Sequence, residues 1–176
     1  HQVKFPGIGQ VYSGKVQIGD LYRLLKKGDI RYAPKYQRGF KANTKEANEG
    51  YDNAILKDID HEGLMIDRRR SNAMAVKYLM ALSGDKLRML YNAEVVWNAR
   101  NEEGVKKPQY DKELQTLTIH SQLSIPDSAH RHYAYYTLCK WKFNMEDVPR
   151  EVVINEDGEK KSKEEIEGLL RKFQPT

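Results

Sequence analysis

Long apolar runs and cysteine are scarce in this chain. No hydrophobic stretch among the 176 residues approaches the roughly 20 residues that a membrane-spanning helix needs, so no membrane partner is expected. The single cysteine, Cys139, excludes an internal disulfide, and no Cys/His cluster has zinc spacing, so no metal site is predicted. A reducing cytoplasm is the expected compartment for a chain with one cysteine, and the start at His1 has no apolar signal segment. Because His1 is not a Met, the chain is consistent with a processed protein or a piece excised from a longer parent.

Acidic residues are sparse in two basic segments. The formal net charge is +5, and hydrophobic and charged residues make up 39% and 31% of the chain, as is typical of a folded domain. Between residues 21 and 41, Asp29 is the only acidic residue among seven basic ones, which are Arg23, Lys26, Lys27, Arg31, Lys35, Arg38 and Lys41. A second cluster is formed by Arg68, Arg69 and Arg70. Such patches favour nucleic acid or nucleotide phosphates, although a solvated basic surface fits the charge equally well.

Hydrophobic periodicity predicts an α+β fold. The main helices are expected at residues 18–26, 67–82, 127–142 and 163–173, and the strands at residues 11–16, 30–36, 93–99, 114–123 and 152–154. Gly28 is predicted to end the first helix, and Ser162 with Glu165 to form a capping box before the last one. We expect residues 1–145 to form the main domain and residues 146–176 a strand-turn-helix appendage.

The strand-to-helix turn at residues 123–131 is the most informative junction. Pro126 blocks continuation of the strand, and Asp127 and Ser128 are both favourable helix N-caps. Backbone N–H groups at a helix start attract anions, and Arg131 in the first turn can bind a phosphate with two hydrogen bonds. The spacing alone favours the simpler alternative, in which Asp127 only caps the helix and the basic residues after it lie on the surface.

The segment from Asp127 to Arg131 resembles the Asp-Gly-Gln-His-Arg motif of the DGQHR domain, a branch of the ParB/sulfiredoxin superfamily. It is also similar to the Gly-Cys-His-Arg turn of sulfiredoxin. Residues 36–38 resemble the upstream Gln-Arg element of these families, residues 67–79 resemble their Arg-x-x-x-Ile-Ala-x-Tyr-Leu helix, and residues 91–96 resemble the strand entry that follows. The resemblance covers most of residues 11–142 and implies a ParB/sulfiredoxin-like mixed sheet with flanking helices.

Two departures from the family pattern bear on chemistry. Ser128 and Ala129 replace the Gly and Gln of the motif, and Ala129 also occupies the position of the sulfiredoxin cysteine. Because Cys139 lies three turns into the helix, sulfiredoxin chemistry is not expected.

The resemblance implies a nucleotide-phosphate-binding protein that acts in DNA modification, restriction or its regulation. In the superfamily this turn grips nucleotide phosphates, and DGQHR members occur in DNA phosphorothioate-modification and phage-defence loci. ATP or another nucleoside triphosphate with Mg²⁺ is the implied cofactor, and NTP hydrolysis or phosphoryl transfer the implied reaction. The expected phosphate ligands are Gln37, Arg38, Ser128, Ala129, His130 and Arg131; the expected catalytic residues are Asp127 and His130; the expected DNA contacts are Lys35, Arg68, Arg69 and Arg70.

The main alternative is a non-enzymatic basic DNA-binding module. A nuclease is not supported, because the chain has no His-Asn-His set and no spaced acidic cluster for two-metal chemistry. The expected partners are a nucleotide and DNA, with a second copy of the chain or a second domain of the parent chain as further partners. We expect Tyr133, Tyr135 and Tyr136 to pack in the core and His132 to lie on the surface.

Overall fold

The computed structural model describes residues 2–5, 9–32, 68–83, 95–99, 103–126 and 128–175. Within these ranges the chain has a mixed α+β structure with four α-helices, which are α1 (Ile18–Lys27), α2 (Arg68–Leu82), α3 (Ala129–Phe143) and α4 (Lys163–Lys172). The prediction of an α+β fold is confirmed, and every helix bound lies within two residues of its predicted position. None of the helices in these ranges has the length and apolar character needed to cross a bilayer.

The described strands are short. They are β1 (Gln2–Phe5), β2 (Gly9–Tyr12), β3 (Ile30–Tyr32), β4 (Asn98–Ala99), β5 (Gln109–Asp111), β6 (Thr116–Thr118), β7 (Leu123–Ile125), β8 (Glu151–Val153) and β9 (Lys160–Ser162). Three antiparallel pairs, β1–β2, β5–β6 and β8–β9, are separate two-stranded sheets. The strand predicted at 11–16 is confirmed only at Val11 and Tyr12, which belong to β2 and pair with β1, because the described residues 13–17 run without regular structure into α1. The strand predicted at 93–99 is likewise shorter, since only Asn98 and Ala99 of the described residues pair with β7.

A three-stranded mixed sheet with the order β3-β7-β4 positions the candidate site. The central strand β7 is parallel to β3, with Ile30 opposite Leu123 and Tyr32 opposite Ile125, and antiparallel to β4. All three residues of β7 are buried, as expected of a strand covered on both faces. Because β3 and β7 are parallel, both strands end at the same edge of the sheet.

Helix α3 follows β7 and lies at the centre of the described helices. It packs against α1, α2 and α4, and ten of its residues are buried. The contacts include the Tyr22 and Tyr136 rings, whose centroids are 5.0 Å apart, and the Lys142 Nζ, which donates to the Leu170 carbonyl at 2.7 Å. The prediction that Tyr133, Tyr135 and Tyr136 pack in the core is confirmed.

The C-terminal strand-turn-helix shares this core. Val152, Ile166 and Leu170 belong to the same buried cluster as the inner face of α3. The predicted capping box is confirmed, since Ser162 Oγ accepts from the Glu165 N–H and the Glu165 carboxylate accepts from the Ser162 N–H. Gly28 ends α1 as predicted, in the left-handed conformation with φ 81°.

Candidate functional site

The turn between β7 and α3 is tighter than a simple strand-to-helix connection. Ser128 is the N-cap of α3 and has the left-handed conformation, with φ 62° and ψ 29°. A non-glycine residue in this region carries strain of about 1 kcal/mol, so surrounding interactions have to hold it there. Asp127, predicted as a capping and catalytic residue, lies outside the described residues.

The polar groups of the turn are arranged around the Ser128 carbonyl. This oxygen accepts from the backbone N–H of Arg131 at 2.9 Å and from that of His132 at 3.2 Å. The Ser128 side chain makes no capping hydrogen bond, and the first turn of α3 has no acidic residue. The positive end of the helix dipole is therefore not compensated by a carboxylate within α3 itself, which favours an anion at this end.

The predicted phosphate ligands in α3 differ in exposure. Ala129 is only 3% exposed and belongs to the core, whereas Ser128, His130 and Arg131 are half-buried. The Nε2 atom of His130 is itself buried.

Two tyrosines stack at the interface of α2 and α3, and the charge of Arg131 acts on both. The rings of Tyr78, on α2, and Tyr135, on α3, have centroids 4.9 Å apart and an interplanar angle of 22°. Burial raises the pKa of Tyr78 from its ordinary 10.0 to about 12, Tyr135 adds to the increase, and the charge of Arg131 opposes it. Burial also raises the pKa of Tyr135, and Arg131 again acts in the opposite direction. The charge of Arg131 therefore interacts with both phenols of the α2–α3 interface.

His132 is not the surface residue that its sequence context suggests. It is fully buried, and its Nδ1 lies 2.9 Å from the Ser128 carbonyl oxygen. The indole Nε1–H of Trp97, just before β4, donates to the His132 Nε2 at 2.8 Å. The expectation of a surface position was wrong because the polarity of an imidazole does not reveal a partner 35 positions away in sequence.

The arginine triplet lies in the first turn of α2. Arg68 is half-buried, and Arg69 and Arg70 are exposed. Arg70 precedes Tyr78 by eight residues, which is about 12 Å along a helix axis.

Four predicted site residues belong to segments that the structure does not describe. Gln37 and Arg38, expected to complete the phosphate pocket, and Lys35, expected to contact DNA, lie outside the described residues, as does Asp127. The nearest described point of the upstream element is Tyr32, the last residue of β3, which pairs with Ile125 just before the turn.

Sequence reasoning missed three residues of this region: Tyr78, Trp97 and His132. Tyr78 occupies the Tyr position of the family-like helix at residues 67–79, so the resemblance contained a signal for it. The link between Trp97 and His132 joins the segment before β4 to α3 and has no local signature in the sequence.

Among the described residues no group of three or more His, Cys, Asp or Glu side chains could hold a metal ion. Searches against protein-family models, curated proteins and solved structures found no match to this chain.

Proposed function

We propose that this protein binds the phosphates of a nucleoside triphosphate at the turn between β7 and α3, and that it acts in a cytoplasmic system that modifies or restricts DNA. The observation that carries the proposal is the position of the turn at the carboxyl edge of two adjacent parallel strands. Ligands of open sheets with parallel strands bind outside this edge, where helix N-termini and loops meet.

The backbone of the turn supports the resemblance to the DGQHR motif. Ser128 stands where the motif has glycine, and its φ of 62° belongs to the conformation that glycine adopts without strain. A motif glycine at this position is therefore explained by the backbone geometry. The serine here adopts the same kind of turn at a modest cost in strain.

Each proposed ligand has a distinct role. The start of α3 supplies backbone N–H groups and the helix dipole, and Arg131 supplies a guanidinium that can form two hydrogen bonds with a phosphate. Gln37 and Arg38 follow Tyr32 of β3 by five and six residues, a length of chain that spans at most about 20 Å. Asp127 and His130 would act on the phosphate through a Mg²⁺-bound water and a hydrogen bond, respectively.

The test is a calorimetric titration of ATP, GTP and CTP with Mg²⁺, with and without duplex DNA. Arg131→Ala is expected to weaken the binding of the preferred nucleotide about tenfold or more, because a charge-assisted hydrogen bond is lost. Arg171→Ala is the matched control, since it removes the same charge from an exposed position on α4 and should bind like the wild type. Phosphate release in the same samples measures hydrolysis.

Two results would overturn the proposal. One is the absence of saturable binding of any of these nucleotides by folded wild-type protein. The other is an equal loss of affinity in Arg131→Ala and Arg171→Ala, which would mean that only net charge attracts the nucleotide. Thermal unfolding of each variant shows whether it is folded.

A second candidate, a basic DNA-binding module without nucleotide dependence, is favoured by the exposure of Arg69 and Arg70 at the start of α2. It predicts DNA affinity that falls steeply with salt and is indifferent to nucleotide. Arg69→Ala with Arg70→Ala would then weaken DNA binding and reduce the salt dependence, whereas Arg131→Ala would leave both closer to wild type.

A further inference from the structure

We propose that His132 is the positioning residue of this turn, and that its neutral, Nδ1-protonated tautomer ties the Ser128 carbonyl to the indole of Trp97. The consequence for ligand binding rests on the proposed function. The tautomer and its hydrogen bonds can be measured without any ligand.

The partners of the ring determine where its proton lies. The Nε1–H of Trp97 can only donate, so the His132 Nε2 at 2.8 Å has to accept and carries no proton. The remaining proton is then on Nδ1, which donates to the Ser128 carbonyl at 2.9 Å. Both ring nitrogens of this fully buried side chain are used, and each has the partner that suits one tautomer only.

The hydrogen bond to Ser128 reinforces a carbonyl that α3 already holds. The same oxygen accepts from the backbone N–H groups of Arg131 and His132, so three donors converge on it. The Ser128 C=O bond therefore points along the helix axis, toward the residues that follow in α3. This is the interaction that offsets the strain of a serine with φ 62°.

Fixing this carbonyl also fixes the next N–H group. The peptide unit between Ser128 and Ala129 is planar and trans, so its C=O and N–H point in opposite directions. With the carbonyl directed into the helix, the Ala129 N–H is directed away from it, toward the side from which an anion would meet α3. His132 thus orients the first donor of the proposed phosphate site without touching the ligand.

Trp97 connects His132 to the three-stranded sheet. It directly precedes β4, whose Asn98 pairs with Ser124 of β7. The turn is therefore held from both sides, covalently through β7 and by a hydrogen bond from the strand beside it. Loss of the indole donor would free the imidazole to rotate and weaken its hold on Ser128.

The first test uses the wild-type protein alone. In ¹⁵N NMR spectra, His132 should show a protonated Nδ1 and an unprotonated Nε2, with a scalar coupling across the hydrogen bond to the Trp97 indole nitrogen. A protonated Nε2 would overturn the proposal, because Trp97 could not then donate to it. This outcome is independent of whether any nucleotide binds.

Two substitutions separate the two bonds of the ring. In His132→Asn the amide nitrogen stands near the former Nδ1 and can still donate to Ser128, whereas in His132→Gln the amide oxygen stands near the former Nε2 and can still accept from Trp97. His132→Asn should therefore keep slow hydrogen exchange at the Arg131 and His132 amides, which donate to the Ser128 carbonyl, and His132→Gln should lose it. The chemical shift of the Trp97 indole proton should stay near the wild-type value in His132→Gln and change in His132→Asn.

Nucleotide titrations of the same variants test the consequence for the site. His132→Asn should bind within about threefold of the wild type, and His132→Gln about tenfold more weakly. The exposed His120 supplies matched controls, since its Asn and Gln variants should leave affinity and both NMR signals unchanged. Equal nucleotide affinity of the two folded His132 variants would overturn the positioning role. Absence of wild-type binding would overturn the proposed function, and the NMR spectra would then decide whether His132 has the proposed tautomer.

Discussion

Removing the Tyr78 hydroxyl should change how the stability of this protein depends on pH. Tyr78 is 8% exposed at the α2–α3 interface, and its pKa is raised from 10.0 to about 12, first by burial and then by Tyr135. Below pH 10 both the folded and the unfolded protein keep the phenol proton. Between pH 10 and about 12 the unfolded chain releases the proton while the folded protein retains it, so the free energy of unfolding decreases as pH rises.

The size of this effect follows from the pKa difference. A shift of two units, at about 1.36 kcal/mol per unit, corresponds to a loss of ~2.7 kcal/mol when the pH passes the folded-state value. Tyr78→Phe has no proton to release at this position, so its stability should lack this part of the decrease. Cys139 and Tyr135 are retained in both proteins, and their own alkaline titrations therefore cancel in the comparison.

The assay is urea unfolding of the wild type and Tyr78→Phe at a series of pH values up to about 12. Below pH 10, the difference in free energy of unfolding between the two proteins measures the cost of losing the hydroxyl itself. Above pH 10, the change in that difference measures the effect of phenol ionisation on stability. The wild type should lose about 2 to 3 kcal/mol more than the variant. A difference that stays constant over the whole range would show that the phenol is not buried between α2 and α3, and would refute the reasoning.

Three further predictions concern local structure. The buried Cys139 thiol, with its pKa raised by burial to about 12, should react with a thiol reagent about a thousandfold more slowly in the folded protein than in denaturant, and comparable rates would contradict its burial. Ser162→Ala should lower the free energy of urea unfolding by ~1 kcal/mol through loss of the α4 cap, and an unchanged midpoint would argue against the cap. Gly28→Ala should lower the free energy of unfolding by about 1 to 2 kcal/mol through backbone strain, and its Cβ should also displace the Arg31 side chain. Gly104 has a similar φ but open space around it, so Gly104→Ala should cost less in the same assay.

The helices could be predicted because their signals are local. The left-handed end of α1 at Gly28 and the capping box of Ser162 and Glu165 depend on residues within about one turn of each other. The strands were harder to predict than the helices. Residues 9–12 form a strand by pairing with residues 2–5, and the local sequence of neither segment specifies its partner.

The candidate site was predicted only in part. The strand-to-helix turn and its small and basic residues were recognisable, and Ser128, Ala129, His130 and Arg131 lie at the start of α3 as a contiguous motif must. The left-handed conformation of Ser128 was not predicted, since serine rarely adopts it and local sequence favours an ordinary cap. The roles of Gln37, Arg38 and Asp127 remain predictions from the resemblance.

The sequence by itself determined the helices, the Gly28 and Ser162 caps and the charged segments, because periodicity and capping act between residues a few positions apart. Only the tertiary structure decided that β3 lies parallel to β7, that Tyr78 stacks on Tyr135, and that Trp97 donates to His132. These contacts join residues at least 35 positions apart, and they form because burial of the whole chain selects which polar groups must find partners inside.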